Sequence, residues 1–81
     1  MEIQEQIRQY ILENFMYSDD ASALTDDRSL IDSGIMDSTG VLELVGFIEE
    51  TFEVQVDDTE LVPENFDSVD KITDYVQRKM G

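Results

Sequence analysis

Three stretches of the chain repeat apolar residues at the spacing of a helix turn, and no pair of stretches repeats them at the spacing of partnered strands. Ile3, Ile7, Tyr10, Ile11 and Phe15 form one stripe, which predicts a helix over residues 2–16. At 100° per residue, Val41, Leu44, Val45, Ile48 and Phe52 share a broad face of a second helix over 38–53. Glu43, Glu50 and Glu53 fall opposite that face, with Glu49 nearer its boundary. A third stripe, Val69, Ile72, Val76 and Met80, marks the last helix. Each stripe must be buried against another element, so an α-helical bundle is the expected fold. The segment FEVQV alternates, but a lone strand has nothing to pair with, so it reads as an extended connector.

The breaks between these helices have their own chemistry. Pro63 suits the first turn of a very short helix over 63–66. Either Asp67 or Ser68 caps the last helix, Arg78 and Lys79 complement the dipole at its end, and Gly81 stops it. Gly40 and Gly46 each weaken the second helix by about 1 kcal/mol relative to alanine. Residues 17–37 show no sustained period, and a connection that long is unusual unless it packs side chains of its own. Leu24, Leu30, Ile31 and Ile35 are the expected anchors, with a short helical turn near 25–29. The total is three longer helices plus one short one in a four-helix bundle with a long first connection. With 81 residues and no internal repeat, residues 1–81 read as one small domain.

Charge restricts the partners of such a bundle. Twenty acidic residues against 5 basic ones give a formal charge of −15. That field repels phosphate backbones and anionic lipid, so neither nucleic acid nor a membrane surface is expected as partner. It attracts proteins with basic patches and favours a monomer. No segment approaches the length of a membrane span, and MEIQEQIRQY lacks the basic and apolar blocks of a secretory signal, so the cytoplasm is the expected location.

The residue inventory then excludes most chemistry. Without cysteine or histidine there is no thiol nucleophile, no thiolate or imidazole metal ligand and no imidazole base. Asp32 to Glu43 spans twelve positions, with an acid at each end as in a calcium-binding EF-hand loop. The interior fails, because Gly34 and Met36 occupy positions that need oxygen ligands and Asp37 stands where glycine is required. The pairs Asp19–Asp20, Asp26–Asp27 and Asp57–Asp58 read as solvated loop acids, so no metal site is expected. Ser38 has no histidine to take its proton, and nothing in the sequence holds Lys71 beside it, so no catalytic residue is expected.

Ser38 nevertheless lies at a telling place, in GIMDSTG at the start of the second helix. A helix N-terminus offers free N–H groups and a positive dipole end, which suit a phosphate attached through the hydroxyl. On the dipeptide alone, an ordinary cap at Asp37 or Ser38 is the favoured reading. The wider stretch LIDSGIMDSTGVLELVGFIEETF resembles the phosphopantetheine-attachment region of acyl and peptidyl carrier proteins. The likeness extends over nearly the whole chain and includes the order and length of its helices.

That resemblance implies a carrier and not an enzyme. A phosphopantetheinyl transferase is expected to move 4′-phosphopantetheine from coenzyme A to Ser38, and the arm supplies the thiol that the chain lacks. Acyl or aminoacyl groups would ride on it as thioesters, placed there by a ligase or transferase. By resemblance, Asp37 is the acid before the modified serine, and Leu42, Glu43, Glu49 and Glu50 face the basic patches of partner enzymes. Thr39 and Gly46 depart from the family, which often has leucine and a larger apolar residue at those positions. Both trim the apolar surface near the arm and imply partners other than those of general fatty-acid carriers. The GIMDS form looks like stand-alone carriers loaded by AMP-forming ligases, which points to secondary metabolism or a specialised acyl pathway. Fatty-acid synthesis is the alternative pathway, and an acidic interaction module with a bare Ser38 is the alternative class.

Overall fold

The computed structural model describes residues 2–18 and 20–81, with no side chain described at Ala21. Four α-helices follow in order: α1 (Ile3–Asn14), α2 (Ser38–Phe52), α3 (Pro63–Phe66) and α4 (Val69–Met80). Three are long and one is short, and no strand occurs among the described residues. The expected helical bundle is what forms. Single 3₁₀ turns at Ala21–Ala23 and Asp58–Glu60 interrupt the two longer connections.

The stripes meet as their periods require. Ile7, Ile11, Leu44, Ile48, Ile72 and Val76 are fully buried, and α4 packs chiefly on α1 and α3. An aromatic stack joins α1 to α2, Tyr10 on Phe47 at 4.0 Å between centroids, and Phe15 at the end of α1 meets Tyr10 edge-on at 6.0 Å. Leu12, Phe66 and Tyr75 also belong to the core, although the stripes did not include them. Met80, assigned to the α4 stripe, is instead 54% exposed in the last turn of the helix.

The ends of α1 are tighter than the periodicity suggests. The helix stops at Asn14, and the Phe15 and Met16 amides both donate to the Ile11 carbonyl. Tyr17 then turns left-handed at φ 51°, and the Ser18 amide returns to the Leu12 carbonyl at 2.9 Å. α2 and α3 begin where Ser38 and Pro63 were expected to start them. The choice at the start of α4 falls on Ser68, whose buried hydroxyl accepts the Lys71 amide at 3.2 Å.

The long connection does pack its own side chains: Leu24, Leu30 and Met36 are buried. Two expectations fail there. The helical turn lies at Ala21–Ala23 and not near 25–29, where only a tight bend at Asp26 and Asp27 occurs. Asp20 nucleates the earlier turn by accepting both the amide and the hydroxyl of Ser22, at 3.0 and 2.6 Å. The later bend is tied to both terminal helices, since Asp26 pairs with Arg8 of α1 and its carbonyl accepts the Asp70 amide of α4. The second failure is Ile31, which is 39% exposed and anchors nothing in the core.

Of the paired loop acids, Asp20, Asp27, Asp57 and Asp58 are exposed as expected, and Asp26 is half-buried. Around the second 3₁₀ turn the Asp57 amide donates to the Glu60 carboxylate and the Glu60 amide to the Asp57 carbonyl, and Asp26 is ion-paired. Asp19 of the first acid pair lies outside the described residues. Among the described residues no cluster of three or more carboxylates could hold a metal ion, and no helix is long and apolar enough to cross a membrane.

Candidate functional site: the serine at the start of α2

Asp37 settles the capping question left open by the sequence. It takes the extended N-cap conformation, and its Oδ1 accepts the Gly40 amide at 2.8 Å. Ser38 is therefore the first residue of the helix, with its hydroxyl released from capping. The side chain is exposed, and among the described residues its hydroxyl makes no hydrogen bond.

An apolar groove of about 350 Å³ opens beside it. Asp37, Ser38, Val41 and Leu42 form one wall, Leu61, Val62, Pro63 and Phe66 the other, and Ile31 the lip. Ile31 thus belongs to the site and not to the core. Leu42 stands one turn after Ser38 on the same side of α2 and is 60% exposed, as its place off the apolar stripe predicts. The far wall could not be read from periodicity. Leu61 and Val62 are two isolated apolar residues before a proline, and only the tertiary fold brings them to the groove beside Ser38.

Gly40 shapes the near wall. A β-carbon there would stand 2.8 Å from Met36 Cγ and 2.9 Å from Phe15 Cε1. Its missing side chain lets the first turn of α2 sit directly on those two residues, whereas around Gly46 the space is open. The expected cost of Gly40 to the helix is real, but here it is exchanged for close packing.

The residues expected to meet partners divide into two groups. Thr39, Glu43, Gly46 and Glu50 are spaced i, i+4, i+7 and i+11, which places them along one exposed line of α2. Leu42 lies between that line and the groove. Glu49 differs, because it is half-buried and its Oε2 accepts the Val56 amide at 3.0 Å. Its carboxylate ties the connector after α2 back onto the helix. Lys71 lies in the first turn of α4 and is not among the residues lining the Ser38 groove.

Across from Ser38, Glu60 holds the far wall to α4. Its Oε1 accepts the Asp57 amide at 3.1 Å, the Tyr75 hydroxyl at 2.9 Å and the Lys79 ammonium at 3.0 Å. Those bonds hold the Glu60 carboxyl below the usual range, the Asp57 amide contributing most. Burial first, and then the Glu60 carboxylate, push the Tyr75 phenol above its ordinary value.

The second long helix of this bundle thus opens on an exposed serine with a free hydroxyl beside an apolar groove. Residues 5–76 match the family described as the phosphopantetheine attachment site, and the chain belongs to that family. It is 34% identical over 62 residues to the D-alanyl carrier protein of Streptococcus uberis, covering 76% of this chain and 77% of the relative. It is 32% identical over 73 residues to the D-alanyl carrier proteins of Streptococcus pyogenes serotypes M5 and M1, covering 88% and 91%. The chain is thus a carrier protein whose prosthetic group is 4′-phosphopantetheine. The geometry around Ser38 fits such a group: a released hydroxyl, the first amides of a fifteen-residue helix for the phosphate, and an apolar groove alongside.

Proposed function

We propose that Ser38 Oγ is the atom that bears 4′-phosphopantetheine, and that the chain holds a small aminoacyl group on it for delivery to partner enzymes. The observation that carries the first half is the division of labour at the helix start. Asp37 takes the cap, so Ser38 is left exposed with its hydroxyl unengaged. The arm supplies a thiol that forms the thioester. The chain's own residues orient the attachment point, line its surroundings and present the acidic face of α2.

The cargo reading rests on the relatives, which are named D-alanyl carrier proteins, and on the composition of α2. Thr39 and Gly46 leave that helix with less apolar surface than a fatty-acid carrier is expected to show. D-Alanine, activated by an AMP-forming ligase in the cytoplasm, is the cargo these features favour. Leu42, Glu43 and Glu50 are proposed to meet the basic surfaces of the transferase and ligase, with Asp37, Thr39, Gly46 and Glu49 completing that face. Glu49 acts there chiefly by holding the connector.

The test is competitive loading of the phosphopantetheinylated protein. With ATP and a D-alanine ligase, intact mass should rise by one alanyl group, and neutral hydroxylamine should remove it. Charging by a long-chain acyl ligase in preference to the D-alanine ligase would overturn the cargo and favour the fatty-acid alternative.

A further inference from the structure

The loop that delivers the chain to Ser38 is tied down far from Ser38 in sequence, and one side chain makes most of the tie. Asp67, between α3 and α4, accepts the Ser29 hydroxyl on both carboxylate oxygens at 2.8 and 2.9 Å. Its Oδ1 also accepts the Ile31 amide at 3.1 Å, and its backbone carbonyl accepts the Leu30 amide at 2.6 Å. Ser29 Oγ in turn accepts the Asp32 amide at 3.0 Å, so the turn that follows is held by the same knot.

From there a short path of contacts reaches the helix start. The Leu30 carbonyl accepts the Met36 amide at 3.0 Å, which closes the 30–36 loop. The Met36 side chain is buried under Gly40, whose amide is held by Asp37 at 2.8 Å. Every step between Asp67 and Ser38 is therefore a hydrogen bond or a packed contact. Ile31, fixed directly by Asp67, forms the lip of the groove beside Ser38.

We propose that Asp67 is a positioning residue for the transfer of phosphopantetheine to Ser38, acting through Ser29, Leu30 and Met36. The proposal rests on the reading that Ser38 is the attachment point. Asp67 touches neither the hydroxyl nor the groove itself. It fixes where the first turn of α2 begins and where the groove ends. The acidic line of α2 that a transferase would grip lies outside this knot. Loss of Asp67 should therefore misplace the nucleophile without weakening the docking of the two proteins.

The experiment measures phosphopantetheinyl transfer from coenzyme A by intact mass, with the carrier concentration varied to separate kcat from KM. Asp67→Ala, Asp67→Asn and Ser29→Ala are compared with the unaltered protein, each shown to be folded by circular dichroism at the assay temperature. A misplacement on the ångström scale predicts a kcat lower by roughly 10- to 100-fold for Asp67→Ala. KM should stay within about twofold. Asp67→Asn, which keeps an acceptor for the Ile31 amide, should fall between, and Ser29→Ala should show a smaller loss of the same kind. Ser29→Ala keeps the carboxylate and is the deciding variant should Asp67→Ala not fold. Unchanged kcat in the folded variants, or a loss confined to KM, would overturn the proposal. If the unaltered protein accepts no phosphopantetheine at all, both the proposal and the assignment of Ser38 fall. Normal modification of the unaltered chain with unchanged variants removes the proposal alone.

Discussion

Two glycines in one helix provide a sharp test of how α2 is seated. Gly46→Ala adds a methyl where nothing lies within 4 Å, so only backbone propensity changes. That predicts a gain of about 1 kcal/mol. Gly40→Ala earns the same propensity gain but places its methyl 2.8 Å from Met36 Cγ and 2.9 Å from Phe15 Cε1. Ordinary carbon contacts lie at about 3.5–4.0 Å, so the neighbours must move by the better part of an ångström. Met36 is buried, and Phe15 sits edge-on against Tyr10, so neither can swing freely into solvent. Forcing a methylene into a packed core costs about 1–3 kcal/mol. The two variants should therefore differ by that amount in urea unfolding, with Gly46→Ala above the unaltered protein and Gly40→Ala level with it or below. In thermal unfolding the gap should read about 4–8 °C for each kcal/mol in a domain of this size. Equal stability of the two alanine variants would refute the claim that Gly40 is required by close packing.

The other predictions concern charge and capping. Asp37→Ala should cost about 0.5–2 kcal/mol as a lost cap. Ser38→Ala should leave the thermal midpoint nearly unchanged, because its hydroxyl holds nothing, and a large loss in the serine variant would contradict the assignment of the cap to Asp37. Glu60 is held below the usual carboxyl range, so its contribution is complete above the ordinary glutamate pKa and disappears as pH falls through the depressed value. The stability advantage of the unaltered protein over Glu60→Gln should shrink on that acid limb, and an advantage independent of pH would show that the charge is irrelevant to the clamp. With a formal charge of −15, added salt should raise the melting temperature by screening self-repulsion and weaken binding to basic partners. A melting temperature that stays flat across salt would contradict the first effect.

Local rules sufficed for some parts of this molecule. The starts of α2 and α3 follow from Asp37–Ser38 and Pro63, whose preferences act within one turn. The stripes found the core faces of the long helices because burial there follows a single period. Where contacts are made across the chain, the sequence was silent. Ile31 is apolar and so reads as a core anchor, yet Asp67, 36 residues away, holds its amide, and its side chain lines the groove. Met36, Phe66 and Tyr75 are buried by the meeting of loop, α3 and α4, which no period on one element encodes. Periodicity puts Glu49 nearer the apolar boundary than Glu50, but its bond to the Val56 amide comes only with the return of the connector onto α2. The groove has the same origin. Its near wall was legible as the turn after Ser38, and its far wall required the tertiary fold.

The work of this carrier depends above all on which atom receives the prosthetic group. The unaltered protein and Ser38→Ala, each incubated with coenzyme A, magnesium and a phosphopantetheinyl transferase, would be compared by intact mass and by fragmentation of the product. One phosphopantetheinyl group located on Ser38, with none added to the alanine variant, is the predicted result. A group found on another side chain, or modification that survives in Ser38→Ala, would contradict it.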